Sequence, residues 1–215
     1  MVLKLYGAHI STCTQRVLFA LFEKGVSFEF VPIDLMKGES HTQEVLAKQP
    51  FGQVPYIEDD DFTLYESRAI ARYIAEKYAG QGTPDLVPTK DVKSRALFEQ
   101  AASVETSNFD AYAGPAVFEG FFKPMMGMQT SKEKIDELSD NLSKKLDVYD
   151  QILSKQKYLT GENITLADLF HVPYGVLLKD AGIDVIETRP NVKRWFNDIT
   201  SRPSWKRTQE FNHTA

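Results

Sequence analysis

Val2-Leu3-Lys4-Leu5-Tyr6 leads through Ser11-Thr12-Cys13-Thr14-Gln15-Arg16-Val17 to Phe28-Glu29-Phe30-Val31-Pro32-Ile33, and this stretch decides the fold. The first segment is short and apolar enough for a buried strand, and the last alternates as a second strand does. Between them Val17, Leu18, Leu21 and Phe22 fall at helical spacing, and Gly25 supplies a stop. The pattern predicts a βαβ unit with two parallel strands. Ser11 stands where strand gives way to helix. A hydroxyl there faces backbone N–H donors and the positive end of a helix dipole, a setting that favours an anion.

Further along, Val54–Glu58 and Phe62–Leu64 flank Asp59-Asp60-Asp61, a turn-rich spacer that predicts a hairpin. Glu66–Tyr78 returns to helical spacing through Ile70, Tyr73, Ile74 and Tyr78. The order βαβ, ββα resembles a thioredoxin fold. Gly80-Gln81-Gly82-Thr83-Pro84 then breaks all periodicity, which predicts a linker over 80–90 between a first domain, 1–79, and a second, 91–215. The second shows no convincing strand. Ile135, Leu138, Leu142, Leu146, Tyr149 and Ile152 recur at intervals of three and four and predict a long amphipathic helix. Thr165-Leu166-Ala167-Asp168 reads as a capping box with a shorter acid, a structural nucleus for the apolar helix that follows.

The chain's 215 residues suffice for one good core or two small ones, and 42% hydrophobic with 26% charged residues is ordinary for a globular protein. Lys and Arg number 25 against 30 acidic residues, a net charge of −5 with no basic cluster, which argues against nucleic-acid binding. No apolar run approaches the roughly 18–20 residues that span a bilayer, and no long apolar leader opens the chain. Cys13 is the single cysteine, so no internal disulfide forms, in keeping with a reducing compartment. A cytoplasmic location is expected, and no membrane partner. The histidines are scattered without metal-ligand spacing, so no metal is expected.

Four segments, Ser11–Val17, Pro50–Pro55, Glu66–Ile70 and Gly161–Asp168, in this order and at these separations, resemble the phi class of glutathione transferases, typical of plants and also found in fungi. The resemblance runs the length of the chain. It implies an α/β thioredoxin-like N-terminal domain followed by an all-helical C-terminal domain, with glutathione as co-substrate and no resident cofactor. It also implies attack of the glutathione thiolate on a hydrophobic electrophile, or on an organic hydroperoxide with release of an alcohol. Relatives are homodimers, and Phe51 is a candidate for insertion into the partner. The alternative is a ligandin-type carrier of hydrophobic small molecules whose catalysis is incidental.

The chemistry supports this reading. A thiol with a pKa near ~8.5 is only a few per cent ionised at neutral pH. Lowering that value by about two units takes roughly 2.7 kcal/mol. Ser11 is read as the catalytic donor, since a serine hydroxyl stabilises the sulfur's charge without adding a competing nucleophile. A plain helix cap is the other role open to it. Related thiol-transferases carry their reactive cysteine in the slot of Ser11 and a second one at Thr14. Cys13 occupies neither position and is read as a packing residue, while Arg16 supports either the local fold or the local field.

The remaining site residues follow from the resemblance. Val54-Pro55 is expected in the cis form, with the Val54 main chain pairing with the cysteinyl unit of glutathione and the Gln53 amide reaching the peptide. Ser67 is expected to aim its hydroxyl and N–H outward at the γ-glutamyl carboxylate, with Glu66 on the α-amino group. Ser40 and His41, in Gly38-Glu39-Ser40-His41, take the places of the His-Lys pair that grips the glycyl carboxylate in relatives, which weakens the cationic hold at neutral pH. An apolar electrophile pocket is expected between the domains, from Thr12 and Leu35 on one side and Phe118, Phe121 and Phe122 on the other, with Met125-Met126 adding adaptable surface.

Overall fold

Residues 2–211 are described by the structure, a computed structural model. Their contacts form two compact units, 2–86 together with 202–211, and 87–201. The boundary falls within the expected linker. The end of the chain joins the first unit, where the sequence reading runs the second domain on to 215; residues 212–215 lie outside the described residues.

The first unit begins with β1 (Leu3–Gly7), α1 (Thr12–Lys24) and β2 (Phe28–Pro32), the two strands paired in parallel. Gly25 takes the left-handed conformation, φ 60°, that closes α1. After a one-turn helix α2 (Gln43–Leu46) come β3 (Tyr56–Asp59), β4 (Phe62–Tyr65) and α3 (Ser67–Lys77). The sheet order is β2-β1-β3-β4, with β3 antiparallel to both neighbours. This is the thioredoxin-like arrangement. Alternation along the strands sends Leu3, Leu5, Phe30 and Ile57 into a core with Val17, Leu18 and Leu21 of α1 and Ile70 and Ile74 of α3. A smaller cluster of Ile33, Val45 and Tyr56 packs with Tyr6, Val54 and Tyr65.

The second unit is helical. α4 (Val92–Glu105) passes through a π-helical turn, Thr106–Asp110, into α5 (Ala111–Val117), then through a second, Phe118–Phe122, into the short α6 (Lys123–Met125). The long α7 (Lys132–Leu153) buries Leu142, Leu146, Tyr149 and Leu153. Ile152, expected on that stripe, is exposed, because Leu153 one full turn beyond Tyr149 takes the buried place. α8 (Leu166–Leu169), α9 (Val172–Asp180) and α10 (Pro190–Thr200) follow.

The capping box closes at the start of α8. Asp168 is wholly buried and accepts from the N–H of Thr165 at 2.9 Å, the Thr165 hydroxyl at 3.1 Å, the N–H of Leu159 at 2.9 Å and the Trp195 indole at 2.9 Å. Burial pushes its carboxyl up against the pull of these donors. Beside it the His171 ring bridges the Ala167 carbonyl at 2.8 Å and the Tyr149 hydroxyl at 3.0 Å.

α11 (Pro203–Glu210) brings the chain back to α1 in the first unit, setting Trp205 against Phe19 with ring centroids 5.3 Å apart and the planes tilted by 54°. The Glu23 carboxylate accepts from Arg202 at 2.5 and 2.7 Å, from the Thr83 hydroxyl at 2.5 Å and from the Ser204 hydroxyl. Burial raises its pKa, but these donors outweigh that and hold the group below the usual carboxylate range.

Asp168→Ala leaves an indole and two backbone N–H groups of a buried site without their acceptor. Chemical denaturation should register a loss of at least about 2 kcal/mol, while calorimetric titration should find glutathione affinity barely changed.

Candidate active site at one edge of the sheet

Strand register gathers the sequence-selected segments within the first unit. Gly7 ends β1 opposite Pro32 at the end of β2, Tyr6 pairs with Tyr56 at the start of β3, and Tyr56 pairs with Tyr65 at the end of β4. Residues 8–11, 33–41, 53–55 and 66–67 therefore all emerge from one edge of the sheet. None could meet there by chain proximity alone.

Ser11 is the N-cap of α1, half-buried, with its Oγ accepting from the N–H of Thr14 at 3.2 Å. The capping role is thus present. It consumes an acceptor position of the hydroxyl and leaves the O–H proton as a donor, so capping and donation to sulfur are compatible. The first turn of α1 holds no acidic residue to neutralise the helix's positive end.

Arg16, one turn further on, is buried, and its Nη1 donates to the Ser67 hydroxyl at 3.0 Å and contacts the Cys13 sulfur at 3.4 Å. This ties the start of α1 to the start of α3 and fixes a positive charge beneath both. Ser67 itself is buried with its oxygen turned inward to Arg16, a correction to the outward hydroxyl expected from the sequence; a buried guanidinium requires acceptors. Glu66 occupies the cap position of α3, exposed and at φ 71°, with no capping bond from its side chain. Backbone in that region is costly for a residue with a Cβ and is found at functional turns.

The next segment contains the cis peptide Val54-Pro55. Val54 is half-buried and Gln53 exposed. Gln49, buried, accepts through Oε1 from the N–H groups of Phe51 at 2.7 Å and Gln53 at 3.3 Å, and so shapes the turn from beneath. Ser40 is buried and its hydroxyl meets His41 Nδ1 at 3.0 Å. The exposed His41 ring lies over Gly52, where a Cβ would stand 2.7 Å from Nε2, and the φ of 64° at position 52 is the left-handed conformation that favours glycine. Asp34 and Glu39 clasp the loop that carries Leu35 and Ser40: the Asp34 carboxylate accepts from the N–H of Met36 and Lys37, and Glu39 accepts from the N–H of Asp34 at 2.7 Å.

The residues expected to form an electrophile pocket are divided between the two units. Thr12 is buried at the first position of α1, and Leu35 is 38% exposed. In the second unit Phe118, Phe121 and Phe122 share the π-helical turn; Phe118 is exposed, and Phe121 and Phe122 meet edge to face with centroids 5.2 Å apart. Glu119 in the same turn is wholly buried and accepts from Lys123 at 2.8 Å and the N–H of Ser131 at 2.7 Å, so it pins the segment bearing the exposed Met125, Met126 and Met128. The supporting pair Gln49 and Glu119 was not selected from the sequence. A glutamine that accepts from nearby main-chain N–H groups leaves no periodic trace, and a glutamate on a helix reads as solvated. Asp34, in Asp34-Leu35-Met36-Lys37-Gly38, does carry the sequence pattern of a side-chain-closed turn.

Comparisons with known proteins agree with this geometry. The glutathione S-transferase N-terminal domain model matches residues 1–76, and the C-terminal domain model matches residues 113–203. Glutathione S-transferase PM239X14 of Arabidopsis thaliana is 47% identical over 198 residues, covering 91% of this chain and 90% of its own. Glutathione S-transferase F12 of the same plant is 44% identical, covering 96% of this chain and 97% of its own. Glutathione transferase F7 from Populus trichocarpa superposes with a TM-score of 0.93 at 45% identity, over 97% of this chain and 98% of that one. Glutathione S-transferase I from maize, solved with an atrazine glutathione conjugate, gives 0.90 at 35% identity over 100% of both chains.

Gln49→Ala removes both side-chain bonds that hold the Phe51–Gln53 turn. Steady-state kinetics should show KM for glutathione rising by about three- to tenfold, the equivalent of one or two weak hydrogen bonds, with kcat changed less than about twofold.

Proposed function

This chain belongs to the glutathione S-transferase family, and from that premise we propose that the Ser11 hydroxyl donates a hydrogen bond to the sulfur of bound glutathione and so holds it as the thiolate. The observation that carries the reading is the placement of Ser11: half-buried, at an acid-free helix N-terminus, its oxygen already aligned by Thr14. The dipole, the fixed hydroxyl and the Arg16 charge all favour the anion before it arrives, which is how preorganised groups stabilise charge.

Glutathione lies across the sheet edge. Its cysteinyl unit pairs with the Val54 main chain and Gln53 contacts the peptide. Its γ-glutamyl end meets Glu66 and the Ser67 N–H, with the Ser67 hydroxyl held by Arg16 and still able to donate. Ser40 orients His41 toward the glycyl end, and the absence of a lysine there makes that grip weaker than the family's. The reaction proceeds as the thiolate sulfur forms a bond to the electrophilic carbon while the leaving group departs with the electron pair. In the second unit Phe118, Phe121 and Phe122 carry apolar surface of the kind that a hydrophobic electrophile binds, with the exposed methionines of the same segment adding to it. Organic hydroperoxides fit the same thiolate chemistry, with one oxygen transferred to sulfur and an alcohol released.

The enzyme works as a cytoplasmic homodimer, with Phe51, 66% exposed beside Tyr65, as the residue offered to the partner. Sedimentation should give a dimer for the native chain and a shift toward monomer for Phe51→Asp; a native monomer would refute the assembly.

Ser11→Ala should lower turnover with a generic aromatic halide at least about a hundredfold, in the range of losing one charge-stabilising donor. Its unfolding free energy should drop only by the ~1 kcal/mol of a lost cap. Near-native turnover would remove Ser11 from the chemistry.

A further inference from the structure

The loop that carries Ser11 is held in place from the opposite end of the chain. Its main chain is tied by the Ser11 N–H to the Ala8 carbonyl at 3.0 Å, the Ala8 N–H to Thr14 Oγ1 at 3.3 Å, and the Gln15 side chain to the His9 carbonyl at 3.0 Å. Between these ties the His9 ring points into an aromatic group. Its centroid lies 5.5 Å from that of Phe30 and 5.6 Å from that of Phe211. Phe211, just past α11, also meets Phe22 at 5.6 Å, Phe28 at 5.7 Å and Phe30 at 5.5 Å. Four aromatic rings from α1, β2 and the loop thus converge on one residue. That residue is anchored in turn through α11, by Trp205 on Phe19 and by the Arg202–Glu23 pair.

We propose that Phe211 is a positioning residue for Ser11, acting through the His9 ring that it and Phe30 enclose. His9 is two residues before the cap, and a hydroxyl donating to a thiolate weakens steeply when turned off line and loses much of its effect when misplaced by about 1 Å. Removing one wall of the His9 slot loosens the packing of the ring beside the turn 8–11, whereas the proposed glutathione contacts of positions 53–54 and 66–67 lie on other loops. The effect falls on ionisation of the bound sulfur, not on capture of the peptide. The inference rests on the proposed role of Ser11.

The test follows glutathione bound to the full-length enzyme by the ultraviolet absorbance of its thiolate across pH, alongside kcat and KM. Phe211→Ala should leave about three- to tenfold less thiolate at neutral pH and cut kcat by a similar factor, with KM for glutathione within about twofold. Phe211→Tyr should restore both. His9→Ala should match Phe211→Ala, and the double variant should lose little more than either, the signature of residues acting on one element. Trp205→Phe, which alters the other anchor of the same helix, should lower the melting temperature without moving the thiolate titration. An unchanged titration in Phe211→Ala, or additive losses in the double variant, overturns the proposal. If Phe211→Ala does not fold, His9→Ala decides alone by the same titration. Ser11→Ala separates the two claims: a normal thiolate there defeats the role of Ser11 itself, whereas loss there with native behaviour in both Phe211→Ala and His9→Ala defeats only the link to Phe211.

Discussion

The pairing of β1 with both β2 and β3 is the constraint on which the rest of the first unit depends. One strand direction is shared with β2 and reversed in β3, and the register at Tyr6 and Tyr56 then sends four loops out of one edge. Those loops hold the residues of the first unit proposed to contact glutathione. A single slip in that register would turn Leu3 and Leu5 out of the core and carry Pro55 away from the cap at Ser11. Packing and chemistry are therefore set by the same hydrogen-bond ladder. The apolar face below holds the register, and the polar loops above inherit it.

Charge is managed around that edge in a consistent way. The end of α1 nearest the site carries no acid, its far end carries Lys24, and the buried guanidinium of Arg16 sits one turn below the cap. Acidic groups that approach the sheet are engaged elsewhere. Glu58 is held below the usual carboxylate range by Lys48 and Tyr6, and Asp59, though burial works against it, is held down by Lys77 and Tyr73. The field at the cap is left to favour an anion despite the chain's net negative charge. Local arrangement, not total charge, decides what this surface attracts.

Much of this was legible in the residues. Strand and helix periods located β1 through α3, Gly25 marked the end of α1, the Asp-rich turn marked the hairpin, and Thr165 with Asp168 marked the capping box, because each is a local rule with a local pattern. What could not be read is what depends on distant neighbours. Nothing near Ser67 says that its oxygen faces Arg16, fifty-one positions away. Nothing near Phe118 says that its turn widens to a π-helix, which takes tertiary packing to hold. Gln49 and Glu119 are buried although their residue types are usually exposed, so composition alone does not point to them. Sequence order runs the last helix on with the second domain, and only its contacts with α1 give it back to the first.

That return has a bearing on how the protein comes into being. A ribosome emits residues 2–86 long before residue 202, so the nascent first unit lacks its final piece while the whole helical unit is being made. Phe19 and Phe22 then stand without Trp205 and Phe211, and Glu23 waits without Arg202. Apolar rings left uncovered for that interval are the kind of surface that aggregates or recruits chaperones. The order of assembly is thus written into the route of the chain: α1 is completed only by α11, and a polypeptide cut off before residue 202 is born with an open seam.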